Sequence, residues 1–76
     1  MRIKFSRHAK ERLTERKISE KLVIEAIKTP DEVIITYRDR RLFKLHTHGK
    51  ILEVVAVEEK GFYEVVTAYY IEEEKQ

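Results

Sequence analysis

The sequence predicts an α+β domain in which two short N-terminal helices pack on an antiparallel sheet of about four strands. Two observations predict it. Apolar residues recur three and four apart up to about residue 28, then alternate or run together as β-branched stretches from Glu32 onward. In addition, Ser6 and Ser19 stand where helices begin, and Thr47-His48-Gly49-Lys50 stands where a tight hairpin turns.

Taken in order, Ile3 and Phe5 alternate with Arg2 and Lys4, which is enough for a short edge strand or an extended lead-in. Ser6 caps a first helix that runs to about Lys17, with Ala9 and Leu13 as a narrow apolar stripe. Ser19 caps a second helix, and Ile18 before it can staple onto Val23. Leu22, Val23, Ala26 and Ile27 form its buried face, and Pro30 closes it near Lys28. Val33–Tyr37 then reads as a strand and Arg38-Asp39-Arg40 as a charged turn. With His48 and Gly49 at a hairpin tip, Thr47 meets Lys50, Leu45 faces Leu52, Phe43 faces Val54, and Lys44 meets Glu53. The last strand, Phe62–Ile71, has two readings. One loop length puts Tyr63, Val65, Thr67 and Tyr69 on the face of Leu52 and Val54; the other puts Phe62, Val66 and Tyr70 there.

Seventy-six residues hold one domain, expected over 1–71, with 72–76 as a polar tail. Without cysteine there is neither a disulfide framework nor a thiolate zinc site. The opening residues lack the apolar run of a signal peptide, and no stretch approaches a membrane span. A cytoplasmic protein is the expectation. Heavy Lys/Glu use and the absence of Asn match heat-adapted proteins, so a thermophilic source is expected too. Residues 1–50 carry 14 Lys/Arg against 7 Asp/Glu, and residues 51–76 carry 2 against 7. The basic front half is able to face phosphates or an acidic partner, and the same charges also describe an ordinary solvated surface.

Within that half, His8, Arg12 and Arg16 follow one another at single helical turns. Imidazole moves protons near neutral pH, and guanidinium forks fit phosphate oxygens, so the set suits RNA chemistry. Thr67 and Tyr69, two apart on a strand, share a face and offer hydroxyls to the same phosphate. Arg7, Lys10, Tyr37, Arg38, Arg40, Arg41 and Lys44 are candidates for nucleic-acid contact, with Tyr37 able to stack on a base. Each of these residues has an ordinary structural use as well, as a charged helix face, a hairpin turn or a strand former. His46 and His48 share a strand face but lack a third ligand, so no metal is expected. There is no glycine-rich phosphate loop, and no cofactor is expected.

Three segments taken together resemble a known family. They are Phe5-Ser6-Arg7-His8-Ala9-Lys10-Glu11-Arg12 with Arg16-Lys17-Ile18-Ser19, then Thr29-Pro30-Asp31-Glu32-Val33-Ile34, then Val65-Val66-Thr67-Ala68-Tyr69. The chain resembles the small prokaryotic proteins grouped as domain of unknown function 4258 over residues 3 to 70. That resemblance implies a relation to toxin ribonucleases of RelE-like and barnase-like architecture. It implies a catalytic site of His8, Arg12, Arg16, Thr67 and Tyr69, in a metal-independent endoribonuclease directed at RNA or the ribosome. An antitoxin-like protein partner belongs to the same expectation. Two other readings stay open: a non-catalytic module that binds nucleic acid or protein, and a homodimer joined through an exposed Ile24 and a sheet edge.

Overall fold

Five strands and two helices make up residues 2–72, the part of the chain that the computed structural model describes. In chain order they are β1 (Arg2–Phe5), α1 (Arg7–Arg16), α2 (Glu20–Lys28), β2 (Glu32–Ile35), β3 (Arg40–Thr47), β4 (Lys50–Glu59) and β5 (Phe62–Glu72). Met1 and four residues of the expected tail, 73–76, lie outside the described residues. Glu72, the first residue of that tail, is the last residue of β5.

Each helix begins where its serine satisfies an otherwise unpaired backbone donor. Ser6 Oγ accepts from Ala9 N–H at 3.0 Å, and Ser19 Oγ from Leu22 N–H at 3.1 Å. α1 ends in a left-handed cap at Lys17, with φ 57° and ψ 42°. There Ile18 N–H reaches Leu13 C=O at 2.9 Å and Lys17 N–H reaches Thr14 C=O at 3.2 Å, the paired bonds of a Schellman motif. Ile18 and Leu13 are both buried in the core, so one residue closes α1 and leads into α2. Thr29 ends α2 by donating its N–H to Glu25 C=O at 2.8 Å.

The strands lie in the order β1-β5-β4-β3-β2. The expected sheet of about four antiparallel strands is therefore a five-stranded mixed sheet. β1 runs parallel to β5, from Arg2 beside Phe62 to Phe5 beside Val65. Alternation of Ile3 and Phe5 signals a strand but carries no information about a partner sixty residues away or its direction. The β3–β4 hairpin has the expected register, with Thr47 opposite Lys50 and Phe43 opposite Val54.

β5 resolves its two readings by using both. Glu59 pairs with Phe62 and Ala56 with Val65, but the next pair is Val55 with Thr67, so Val66 is an extra residue in the strand. The bulge flips the alternation. Tyr63 and Val65 face the helices before it, and Ala68 and Tyr70 face them after it. Thr67 and Tyr69 are thereby turned to the opposite face of the sheet.

The core lies on one side only. α1 covers β5 and α2 covers β3 and β4. Ala9, Leu13, Val23, Ala26 and Ile27 meet Phe43, Leu45, Leu52, Val54, Ala56, Val65 and Ala68 between the layers. Ile24, expected to be exposed, is half-buried. The other face of the sheet is open, as one-sided antiparallel sheets commonly are. Among the described residues no helix is long and apolar enough to cross a membrane.

Candidate functional site

Because Ala9 and Leu13 anchor α1 on β5, the neighbouring ridge of His8, Arg12 and Arg16 runs along the helix beside the sheet edge. Arg12 Nε donates to His8 Nε2 at 3.3 Å. Nε2 is the accepting ring nitrogen of His8 in this arrangement. Arg16, one turn on, reaches the sheet. Its Nη1 donates to Thr67 Oγ1 at 3.0 Å and to Ala68 C=O at 2.8 Å. β1 pairs with β5 only as far as Val65, so the Ala68 carbonyl lies on a stretch of edge that the guanidinium covers.

Beyond that edge, three residues form a polar row across the open face. Lys44 on β3, Glu53 on β4 and Tyr69 on β5 stand opposite one another in register. Lys44 Nζ lies 3.4 Å from Glu53 Oε2, and the Tyr69 phenol donates to the Glu53 carboxylate. Glu53 is only 7% exposed. A carboxylate that is nearly out of water needs such partners, because desolvation of an unpaired charge costs several kcal/mol. Burial pushes the Tyr69 phenol above its ordinary value of 10.0, and the bond to Glu53 and its negative charge push the same way, against the pull of Arg16. Tyr69 is consequently a neutral donor at physiological pH. Arg16, Thr67, Tyr69, Glu53 and Lys44 thus make a continuous polar strip from the helix to the sheet.

The structure brings some candidates together and separates others. Arg16 meets Thr67 and lies within electrostatic reach of Tyr69. His8 meets Arg12, two turns or about 12 Å along the helix from Arg16. Arg7 pairs with Glu11 at 3.7 Å on the solvent side, where Lys10 is also exposed. Lys44, expected on a nucleic-acid surface, is engaged by Glu53. The run of Arg38, Arg40 and Arg41 is not one surface. Arg38 stacks over Tyr37 at 5.1 Å in an exposed turn, and Arg40 is exposed. Arg41 turns back on the helix side to Glu58 at 3.0 Å and the Tyr63 ring at 5.9 Å. That turn joins β2 to β3, two to three strand spacings or about 9–14 Å from β5, so it and the α1 ridge lie on opposite sides of β4.

His46 and His48 do not share a face either. His48 has left the strand for the hairpin tip with φ 51°, and its Nδ1 lies 2.8 Å from Thr47 Oγ1. The His46 N–H donates to Asp31 Oδ2 at 2.7 Å. Among the described residues no three ligating side chains converge. Glu53 is the site residue that sequence reasoning missed. Its signal was present, as the one charge inside the apolar run Ile51–Val57.

The fold and site define a small helix-on-sheet protein that carries a basic helix docked on the edge of its last strand. A family model described as domain of unknown function (DUF4258) matches residues 5–70, and the chain belongs to that family. Comparison with curated proteins and with solved structures returns no match.

Proposed function

We propose that this chain is a toxin-like, RNA-directed protein of the cytoplasm, related in architecture to the RelE-like and barnase-like ribonucleases. The observation that carries the reading is the 3.0 Å bond from Arg16 to Thr67, which joins the basic helix to the Thr-x-Tyr segment 51 residues later. RNA cleavage without metal needs a base for the 2′-hydroxyl, a proton for the leaving 5′-oxygen, and positive charge on the phosphorane. His8 supplies the first through Nε2 once Arg12 turns from it to the phosphate, Tyr69 supplies the proton once it leaves Glu53, and Arg12 and Arg16 supply the charge. The 2′-oxygen forms a bond to phosphorus as the bond to the 5′-oxygen breaks, leaving a 2′,3′-cyclic phosphate. An acidic, antitoxin-like partner would complement the same basic ridge.

The test is cleavage of a defined RNA by purified protein, with end-group identification and a chelator control. His8→Ala is expected to lose about 10²–10⁴-fold in rate with little change in binding. Full activity in His8→Ala would remove His8 from the chemistry. The competing reading is a non-catalytic binding module. It is favoured by one observation: Arg16 and Tyr69 already spend their donors on Ala68, Thr67 and Glu53 within the fold. Wild-type protein that binds RNA without cleaving free or ribosome-bound substrate would establish that reading instead.

A further inference from the structure

The two edges of the sheet are built differently. The β1–β5 edge carries Arg2 and Lys4, and Arg16 covers the Ala68 carbonyl. Basic side chains on an edge discourage another strand from adding. The β2 edge has no such guard. Its strand, Glu32-Val33-Ile34-Ile35, is β-branched at three positions and carries no basic residue, and Val33 and Ile35 are 44% and 70% exposed.

The hydrogen-bond phase of the ladder explains why these two residues matter. Thr47 and Lys50 close a two-residue hairpin, so odd-numbered residues of β3 bond β4 and even-numbered ones bond β2. The β2 side therefore uses Glu32, Ile34 and, by the 2.8 Å bond from its N–H to Arg40 C=O, Thr36. Val33 and Ile35 turn their N–H and C=O groups outward. The two exposed apolar side chains are thus also the two residues with outward backbone groups.

We propose that β2 pairs antiparallel with β2 of a second copy of this chain, about a two-fold axis through Ile34. Val33 of each copy then lies opposite Ile35 of the other, and each of these two pairs exchanges both backbone bonds. The four exposed side chains meet on the helix side of a continuous ten-stranded sheet. Charge selects the direction. β2 is acidic at its start, with Asp31 and Glu32, and is followed by the basic turn of Arg38 and Arg40. Antiparallel pairing sets each acidic end beside the other copy's basic turn, whereas a parallel pairing sets like beside like. The strand is short, so the contact belongs with weak, concentration-dependent interfaces. The α1 ridge lies at the far edge and stays free in the dimer.

The experiment is sedimentation equilibrium of the full chain from about 10 μM to about 1 mM, a range that brackets weak association. Wild type is expected to rise from 9.1 kDa toward twice that mass, about 18 kDa. Val33→Pro deletes an outward N–H that the fold does not use, and Ile35→Glu places charge on an exposed position opposite Arg41, where the fold tolerates an acid. Each variant is expected to melt like wild type, bind RNA like wild type, and stay at monomer mass. Wild type that remains monomeric throughout overturns the proposal and leaves the edge to a strand of a different protein. A dimer that survives Val33→Pro in a folded chain overturns it equally.

Discussion

At the scale of single residues, Tyr69 and Glu53 are coupled across adjacent strands on the open face of the sheet. The Tyr69 phenol is held above its ordinary value by burial first and by Glu53 second, against the pull of Arg16. A raised phenol favours its neutral form in the folded state. The stability it contributes is fully present below the unfolded value near 10 and is lost as pH rises through the higher folded value. Tyr69→Phe leaves a buried carboxylate short of one donor, so it should cost about 1–2 kcal/mol at pH 8. Above pH 10 the gap between wild type and variant should narrow, which urea unfolding at both pH values measures. A gap that stays constant across that range would show that the Tyr69 hydroxyl does not titrate as this environment requires.

At the scale of elements, the ends and irregularities do more than the regular stretches. Lys17 sits at φ 57° with a side chain, where a residue other than glycine is strained. Lys17→Gly should relieve that strain and, after glycine's own entropic cost, stabilise the protein by about 0.5–1 kcal/mol in thermal or chemical unfolding. Lower stability in that variant would mean that the lysine side chain makes an interaction worth more than the strain. The bulge at Val66 is the second such feature. It lets Val65 and Ala68 both enter the core while Thr67 and Tyr69 face the polar row. A regular strand would put Val65 and Ala68 on opposite faces, so one of the two would leave the core.

At the scale of the whole molecule, the basic residues divide into groups with different consequences. Arg12 and Arg16 lie on the α1 ridge, whereas Arg41 is tied to Glu58 and the Tyr63 ring on the helix side of the sheet. RNA binding through the ridge should weaken in Arg12→Ala and in Arg16→Ala. Each lost phosphate contact should flatten the log–log salt dependence by about one unit. Arg41→Ala should leave that slope unchanged while lowering the melting temperature. Titration of a labelled RNA at several salt concentrations, beside melting curves, separates the two effects. Equal slopes for all four proteins would move the RNA surface away from α1.

The sequence by itself determined the elements whose causes are local. Ser6 and Ser19 set the helix starts, Pro30 the end of α2, and His48-Gly49 the hairpin whose register then aligned Phe43 with Val54 and Lys44 with Glu53. His8 beside Arg12 was legible for the same reason, since residues four apart on a helix are neighbours. Tertiary structure decided whatever depends on distant partners. The parallel seat of β1 on β5 and the reach of Arg16 to Thr67 are not written in any local pattern. Nor is the bulge at Val66, because period-two alternation looks the same in either register and only packing against α1 selects which residues go inside. The separation of Arg38 and Arg40 from the α1 ridge follows from strand order, which places β2 and β5 on opposite sides of β3 and β4. Local chemistry fixes where an element starts and stops. Long-range packing fixes which of its faces meets which neighbour, and the site is made of such meetings.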